Sequence, residues 1–391
     1  MIKLDNLTKT FLTDQGPIVA ADRICMEVDE GEICVFLGPS GCGKTTTLKM
    51  VNRLIEKTSG SIFIGGRDTG DIDPVELRRT MGYVIQQIGL FPNMTVEENI
   101  GVVPRLLGWD AARTAKRAAG LLEMVTLDPA IFLKRYPREL SGGQQQRVGV
   151  ARALAADPPV LIMDEPFGAI DPINREVIQD EFLKMQQTLR KTILFVSHDI
   201  DEAIKMADKI AIFRTGRLEQ FDTPDNVLAH PANDFVAEFV GSDRTLKRLR
   251  LLRVRQVLRN NAPSVHEDDP LETAAARMRD HDLDRIVVLG RDGRITGYLA
   301  LDALVGGRGL ARDHARAVPA TIAPDAELRH AVSLMFTHGT PWLPCVDGGG
   351  TFLGHVTQQG ITALLGETYQ TRGGASAGVA PYDAPAQGAT E

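Results

Sequence analysis

Gly38-Pro39-Ser40-Gly41-Cys42-Gly43-Lys44-Thr45 decides how the rest of this 391-residue chain is read. The stretch matches G-x-x-x-x-G-K-[ST], a loop that cradles phosphate groups. Before it, Glu32-Ile33-Cys34-Val35-Phe36-Leu37 is a short apolar run that reads as a buried strand. After it, Thr45 to Arg53 carries no Gly or Pro and reads as a helix. Strand, glycine loop and helix start together make an anion site. The glycines let backbone N–H groups turn inward, and the helix N-terminus adds its positive dipole end. Lys44 is expected to reach the β- and γ-phosphates and the Thr45 hydroxyl to ligate Mg²⁺.

Working outward, Val160-Leu161-Ile162-Met163-Asp164-Glu165 is an apolar run ending in two carboxylates, about 120 residues after the loop. A buried strand would deliver Asp164 to a metal and Glu165 toward an attacking water, the layout for base-assisted phosphoryl transfer. Between them lies Leu140-Ser141-Gly142-Gly143-Gln144-Gln145-Gln146-Arg147, followed by a helical pattern to Ala156. This reads as a second anion nest at a helix start. Residues 81–92 read as a strand running into Gln86-Gln87 and a loop broken by Gly89 and Pro92. Residues 1–37 read as antiparallel strands, and 110–125 and 173–191 as helices. Phe11 has two open readings, an aromatic face for adenine or an ordinary core residue.

Apolar residues make up 43% of the chain, enough for real cores, and the net charge of −7 argues against nucleic acid as the main partner. No run approaches a membrane span, and the first residues lack a signal-peptide core, so any membrane association is expected to be peripheral. Cys25, Cys34, Cys42 and Cys345 show no C-x-x-C pairing and read as free thiols in a reducing compartment.

With Leu140-Ser141-Gly142-Gly143-Gln144 placed between the phosphate loop and Asp164-Glu165, the chain resembles the ATP-binding cassette (ABC) ATPases. The resemblance implies an α/β fold of the P-loop NTPase type, with a RecA-like core, an antiparallel β subdomain and an α-helical subdomain over residues 1–242. It also implies a head-to-tail homodimer with ATP between the phosphate loop of one subunit and Ser141, Gly142, Gly143 and Gln144 of the other. On the matching positions it assigns Phe11 to adenine stacking and Gly38 through Thr46 (Gly38, Pro39, Ser40, Gly41, Cys42, Gly43, Lys44, Thr45, Thr46) to ATP binding. It assigns Thr45, Gln86 and Asp164 to Mg²⁺, Gln86 also to sensing water and the membrane subunit, and Glu165 to the general base. Asp171 becomes a trans-acting acid and His198, in Val196-Ser197-His198-Asp199, a contact to the γ-phosphate. Runs such as Lys49-Met50-Val51-Asn52-Arg53-Leu54-Ile55, Asp73-Pro74-Val75-Glu76-Leu77-Arg78-Arg79 and Arg135-Tyr136-Pro137-Arg138-Glu139-Leu140 resemble one importer subgroup. That subgroup takes up osmoprotectant quaternary amines (glycine betaine, carnitine, choline, proline betaine). It implies integral membrane permease subunits, a periplasmic or lipid-anchored substrate-binding protein, and a place on the cytoplasmic face of the bacterial inner membrane. Rival readings are an importer of another small solute, a soluble ABC ATPase without membrane partners, or a chain that is mainly a ligand sensor.

From 243 to 260 the chain turns basic, with Arg244, Lys247, Arg248, Arg250, Arg253, Arg255 and Arg259. This reads as a linker helix packed on the ATPase or as a patch for anionic lipid. Beyond it, two ungapped copies lie 57 residues apart, pairing Val265/Ile322, Leu271/Leu328, Met278/Met335, Gly293/Gly350 and Gly297/Gly354. Their boundaries are expected at 261–312 and 313–370, each reading strand, helix, strand, glycine turn, strand, helix, with the two sheets packed face to face. They resemble a tandem cystathionine-β-synthase (CBS) pair, which implies a regulatory module. The family's ribose-binding [ST]-x-x-D would fall at Ala300–Ala303 and Thr357–Gly360. The first copy lacks both ends and the second lacks its Asp, so ordinary ATP or AMP binding is not expected there. A cyclic dinucleotide, an ionic or lipid regulator, and a packing role stay open. The tail 371–391, rich in Gly, Ala and Pro, reads as disordered.

Overall fold

The computed structural model describes residues 1–14, 16–85, 89–168, 170–260, 262–304 and 308–370. It falls into two compact units, Met1–Leu251 and Leu252 onward.

The first unit is built on a six-stranded sheet. Its order is Arg217–Asp222, Lys209–Arg214, Ile33–Leu37, Thr192–Val196, Val160–Asp164, Met81–Val84. All neighbours pair in parallel except the outermost hairpin of Lys209–Arg214 with Arg217–Asp222. Every residue of Ile33–Leu37, Val160–Asp164 and Thr192–Val196 is buried, as expected for central parallel strands covered on both faces. The period-2 alternation sends their side chains into two separate cores. Ile33, Val35, Leu37, Leu161, Met163 and Phe195 face helices carrying Leu121, Val148 and Phe182. Cys34, Phe36, Val160, Ile162, Leu194 and Val196 face Leu48 and Met50 of the helix Lys44–Val51. That second core also takes Ile2, Leu4, Ile24 and Ile62 from a four-stranded antiparallel sheet, the arrangement expected for the N-terminal residues. Because the central strands are parallel, Leu37, Val84, Asp164 and Val196 all end on one edge. Four loops therefore open on the same side.

The basic stretch 243–260 departs from the expected single helix. Arg244–Arg248 is a five-residue helix, Val254–Gln256 a 3-10 turn and Arg259–Asn260 a short strand. Its charges are matched by acids. Lys247 pairs with Asp243 at 2.9 Å and Arg250 with Asp201 at 3.3 Å. Arg255 pairs with Asp325 at 3.0 Å, and the buried Arg248 forks onto Asp225 at 2.7 and 3.2 Å. These pairs offset much of the positive charge, and those of Lys247, Arg248 and Arg250 stay within the first unit, whereas that of Arg255 lies within the second.

In the second unit the 57-residue offset reproduces the elements one for one. Leu271–Asp280, Arg285–Leu289 and Ile295–Ala300 recur as Leu328–Thr337, Trp342–Val346 and Phe352–Thr357. The first strand of the copy is Ser264–His266 in repeat one and shrinks to a single bridge, Ile322 to Cys345, in repeat two. The copies exchange leading segments. Arg259–Asn260, just ahead of repeat one, pairs with His355 and Gly354 of repeat two, while Arg316, at the start of repeat two, pairs with Tyr298 of repeat one. The exchange explains a glycine pair. A Cβ on Gly354 would lie 2.2 Å from the carbonyl of Arg259, and one on Gly297 2.7 Å from that of Arg316. At the equivalent turns Arg294 bridges Thr351, so the two copies are joined about a local pseudo-twofold axis.

Candidate functional site

The strand Ile33–Leu37 delivers the phosphate loop to the shared edge. Gly43 caps the helix Lys44–Val51 at φ +104°, and a Cβ there would sit 2.1 Å from the carbonyl of Ala20. Only glycine meets both conditions. Lys44 is 7% exposed, and its ammonium donates to the carbonyls of Gly38 at 2.6 Å and Pro39 at 3.0 Å. The charge is held inside the loop, where phosphate oxygens can replace those carbonyls. Cys42 is also buried, with Sγ 3.7 Å from the Lys44 ammonium, whereas Cys25 is exposed; all four cysteines are free.

Thr45 Oγ1 donates to Asp164 Oδ1 at 3.2 Å, which joins the loop to the end of Val160–Asp164. Burial pushes the Asp164 carboxyl above its usual range, and the Glu165 charge adds to this; the Thr45 hydrogen bond and the Lys49 and Lys44 ammoniums pull it back. Among the described residues no cluster of three or more His, Cys, Asp or Glu could cage a metal. A hydroxyl and one carboxylate are instead the sparse, hard oxygen set that suits Mg²⁺, which keeps waters and substrate phosphates as its other ligands.

Glu165 adopts left-handed backbone, φ +47°, a strained conformation for a non-glycine residue. Its N–H is anchored to the carbonyl of Val196 at 3.1 Å, across to the adjacent strand end. Its carboxylate lies 3.7 Å from His198 Nδ1, and the His198 side chain is 64% exposed on the same edge. The phosphate loop, Asp164, Glu165 and His198 are thus gathered by the parallel sheet. Gln86, expected beside them, lies outside the described residues. Phe11 is partly exposed near the end of Ile2–Thr13, with the Lys9 ammonium 4.8 Å above its ring.

Ser141 and Gln144 form a reciprocal capping box on the helix Gly142–Ala153. The Ser141 N–H donates to Gln144 Oε1 at 3.0 Å, and the Gln144 N–H to Ser141 Oγ at 3.4 Å. With Gly142, Gly143 and Asp171 they line a cavity of about 590 Å³ whose walls include no residue of the phosphate loop. The site residues therefore divide into two groups on one subunit.

Three buried polar residues near the site escape sequence reasoning. Asn99, fully buried, accepts from the N–H of Phe91 at 2.7 Å and donates to the carbonyls of Phe91, Met94 and Thr95 at 3.0–3.1 Å. It pins the turn from Phe91 to Thr95. Asn99→Ala strands these partners and should cost about 3 kcal/mol of unfolding free energy in urea titrations. Gln179 and Glu202 are also buried and bond each other behind the His198 loop. An N-cap signal was visible in Asp199-x-x-Glu202, but it points to a surface capping box, not an inward carboxyl.

The second unit holds a cavity of about 570 Å³ lined by Asp282, Arg285, Trp342, His355, Thr357 and Gln358, among others. Burial lowers the His355 pKa, with the Arg259 charge adding to it. Thr357 Oγ1 accepts from the N–H of Gly360 at 3.0 Å, and position 360, where the ribose-binding pattern has a carboxylate, is a glycine with none to offer.

The ABC transporter family profile matches residues 21–168, and the CBS domain profile matches 254–306 and 311–367. The chain is 54% identical over 368 residues to the osmoprotectant import ATP-binding protein OsmV of Salmonella typhimurium, covering 93% of this chain and 96% of that one. It is 45% identical over 369 residues to the glycine betaine/carnitine/choline transport ATP-binding protein OpuCA of Bacillus subtilis, with the same coverage. A solved dimeric ATP-binding cassette in a post-hydrolysis state with ADP and Pi is 35% identical, with a TM-score of 0.52 over 57% of this chain and 99% of that one. On this likeness across nearly its whole length, the chain belongs to the family of ABC transporter ATP-binding proteins, within the group of osmoprotectant-import subunits, and itself carries a tandem CBS pair.

Proposed function

We propose that the chain is the ATP-hydrolysing subunit of an importer for quaternary-amine osmoprotectants, working as a homodimer on integral membrane permease subunits. The observation that carries the reading is the division of the site. One group (phosphate loop, Asp164, Glu165, His198) has the parts for hydrolysis, while Ser141–Gln144 and Asp171 line a separate cavity. A second subunit turned head to tail brings its Ser141–Gln144 helix start onto the ATP held by the first, and vice versa.

In that sandwich Phe11 supports the adenine, and the N–H groups of the loop from Gly38 to Thr46 hold the phosphates. Lys44 exchanges its two carbonyl partners for phosphate oxygens. Glu165, set by its backbone anchor to Val196, takes the proton of the attacking water, and His198 contacts the γ-phosphate. Thr45 and Asp164, with Gln86, would hold Mg²⁺, which when bound would offset charge on the transferring phosphate. Closure on ATP and reopening after hydrolysis would drive the permease. Among the described residues no helix is long and apolar enough to cross a membrane, in keeping with peripheral attachment. The quaternary-amine cargo rests on the names of the relatives; its pocket would belong to a separate binding protein, where aromatic rings can enclose the cation. The CBS pair is the regulatory half, with a cyclic dinucleotide or ionic strength as the input.

The test is ATPase activity and solute uptake of the assembled transporter in lipid vesicles. Ionic strength and cyclic dinucleotide are varied, with and without the C-terminal unit. The truncation should begin at Leu252, because Arg248 is buried against Asp225 within the ATPase unit. Loss of the response with retained basal turnover is the expected outcome. An unchanged response would make the CBS pair an assembly element, and failure to take up any quaternary amine would overturn the cargo.

A further inference from the structure

The helix Pro172–Leu189 starts immediately after Asp171 and runs behind the His198 loop. Gln179 on it is 4% exposed and donates through Nε2 to Glu202 Oε1 at 2.9 Å. The other oxygen, Glu202 Oε2, accepts from the Ser197 hydroxyl. Ser197, 1% exposed, in turn accepts from the N–H of Asp199 at 3.0 Å, so both neighbours of His198 are tied down while His198 itself protrudes. One turn before Gln179, Arg175 brackets the same loop. It donates to the carbonyl of Ile170 at 2.9 Å, next to Asp171, and its other nitrogen lies 3.8 Å from Asp199 Oδ2.

A carboxyl enclosed this way is costly unless its bonds are kept. Burial holds the Glu202 pKa above the usual carboxylate range; the Ser197 and Gln179 bonds pull it down, Asp199 raises it, and Arg175 lowers it. ATP contact and hydrolysis as described above make no use of Glu202, yet it joins the helix that follows Asp171 to the loop that carries His198.

We propose that Glu202 is a positioning residue that couples the two, so that engagement of the Asp171 segment by the second subunit sets the reach of His198 toward the γ-phosphate through Gln179, Glu202 and Ser197. The inference rests on the dimeric ATPase reading above. It assigns the chain a path by which occupancy of the opposite site is felt at the switch histidine. The link is short, buried and made of directional bonds, so a small displacement of the helix is passed on as a displacement of the loop.

The test compares full-length wild type, Glu202→Ala, Glu202→Gln, Gln179→Leu and Ser197→Ala. Steady-state ATPase is measured against ATP concentration, with ATP-dependent dimerisation by light scattering and thermal midpoints. Glu202→Ala should lower kcat at least tenfold, shift KM for ATP less than twofold and reduce the Hill coefficient toward 1. Gln179→Leu and Ser197→Ala should show the same split, and combining either with Glu202→Ala should add little, because all three break one path. Glu202→Gln keeps the volume and one acceptor, and should keep at least half of kcat. Unchanged kcat and cooperativity in folded Glu202→Ala, a parallel loss of ATP affinity and thermal midpoint with no kcat split, or Glu202→Gln as poor as Glu202→Ala would each overturn the coupling. Wild-type protein that neither hydrolyses ATP nor dimerises on it would overturn the functional reading itself, and that control is read before any variant.

Discussion

Glu165→Gln is expected to lower ATP turnover by about 10²–10⁴-fold, the range for removing a general base, while ATP-dependent dimerisation persists. The amide keeps the volume and an acceptor, so the backbone at φ +47° and its anchor to Val196 are left in place. The amide cannot take a proton from water at neutral pH. In the proposed mechanism binding relies on the phosphate loop, Thr45 and Asp164, none of which changes. Dimers should therefore accumulate with ATP unhydrolysed, visible as an ATP-dependent doubling of mass by light scattering. A variant that turns over normally would remove Glu165 from the role of base. One that neither binds nor dimerises would mean its carboxylate helps hold the nucleotide.

Gly43→Ala is expected to be as damaging by a different route, through binding. An alanine at φ +104° is strained wherever it sits, and here its methyl would press on the carbonyl of Ala20 from 2.1 Å. Both atoms in the clash are tied to backbone, so relief requires shifting either the loop or the N-terminal sheet. The expected cost is about 2–4 kcal/mol of stability, with ATP affinity falling more than about 100-fold because the loop N–H groups lose their aim. Gly41→Ala is the matched comparison. A Cβ there meets nothing within 4 Å, so only the strain of φ +76° remains and a milder loss is expected. Urea unfolding and titration with a fluorescent ATP analogue separate the two effects. Equal losses in both variants would show that strain alone governs the loop.

The difference between these glycines illustrates what could be read in advance. Motif spacing marked Gly38, Gly41 and Gly43 alike; distances to Ala20 and Phe213 come from chain segments far away in sequence. The same holds for charge. A run of basic residues from Arg244 to Arg259 left lipid binding open, and acids at 201, 225, 325 and 327 turned out to neutralise much of it.

By itself the sequence determined what depends on short-range order. The strand–loop–helix phosphate site follows from local sterics and hydrogen bonds, and the apolar runs at 33–37 and 160–163 from burial on both faces of a parallel sheet. The 57-residue repeat emerged in the helix and the two strands after it because both copies carry the same periodicity there. Only the tertiary structure decided which loops share an edge, that the CBS copies exchange leading segments, and that Glu202 turns inward to Ser197 and Gln179 and not back to its own helix cap. These outcomes rest on contacts between residues distant in the chain. Such contacts leave no period or spacing in the sequence, because their geometry is set by the path of everything between them.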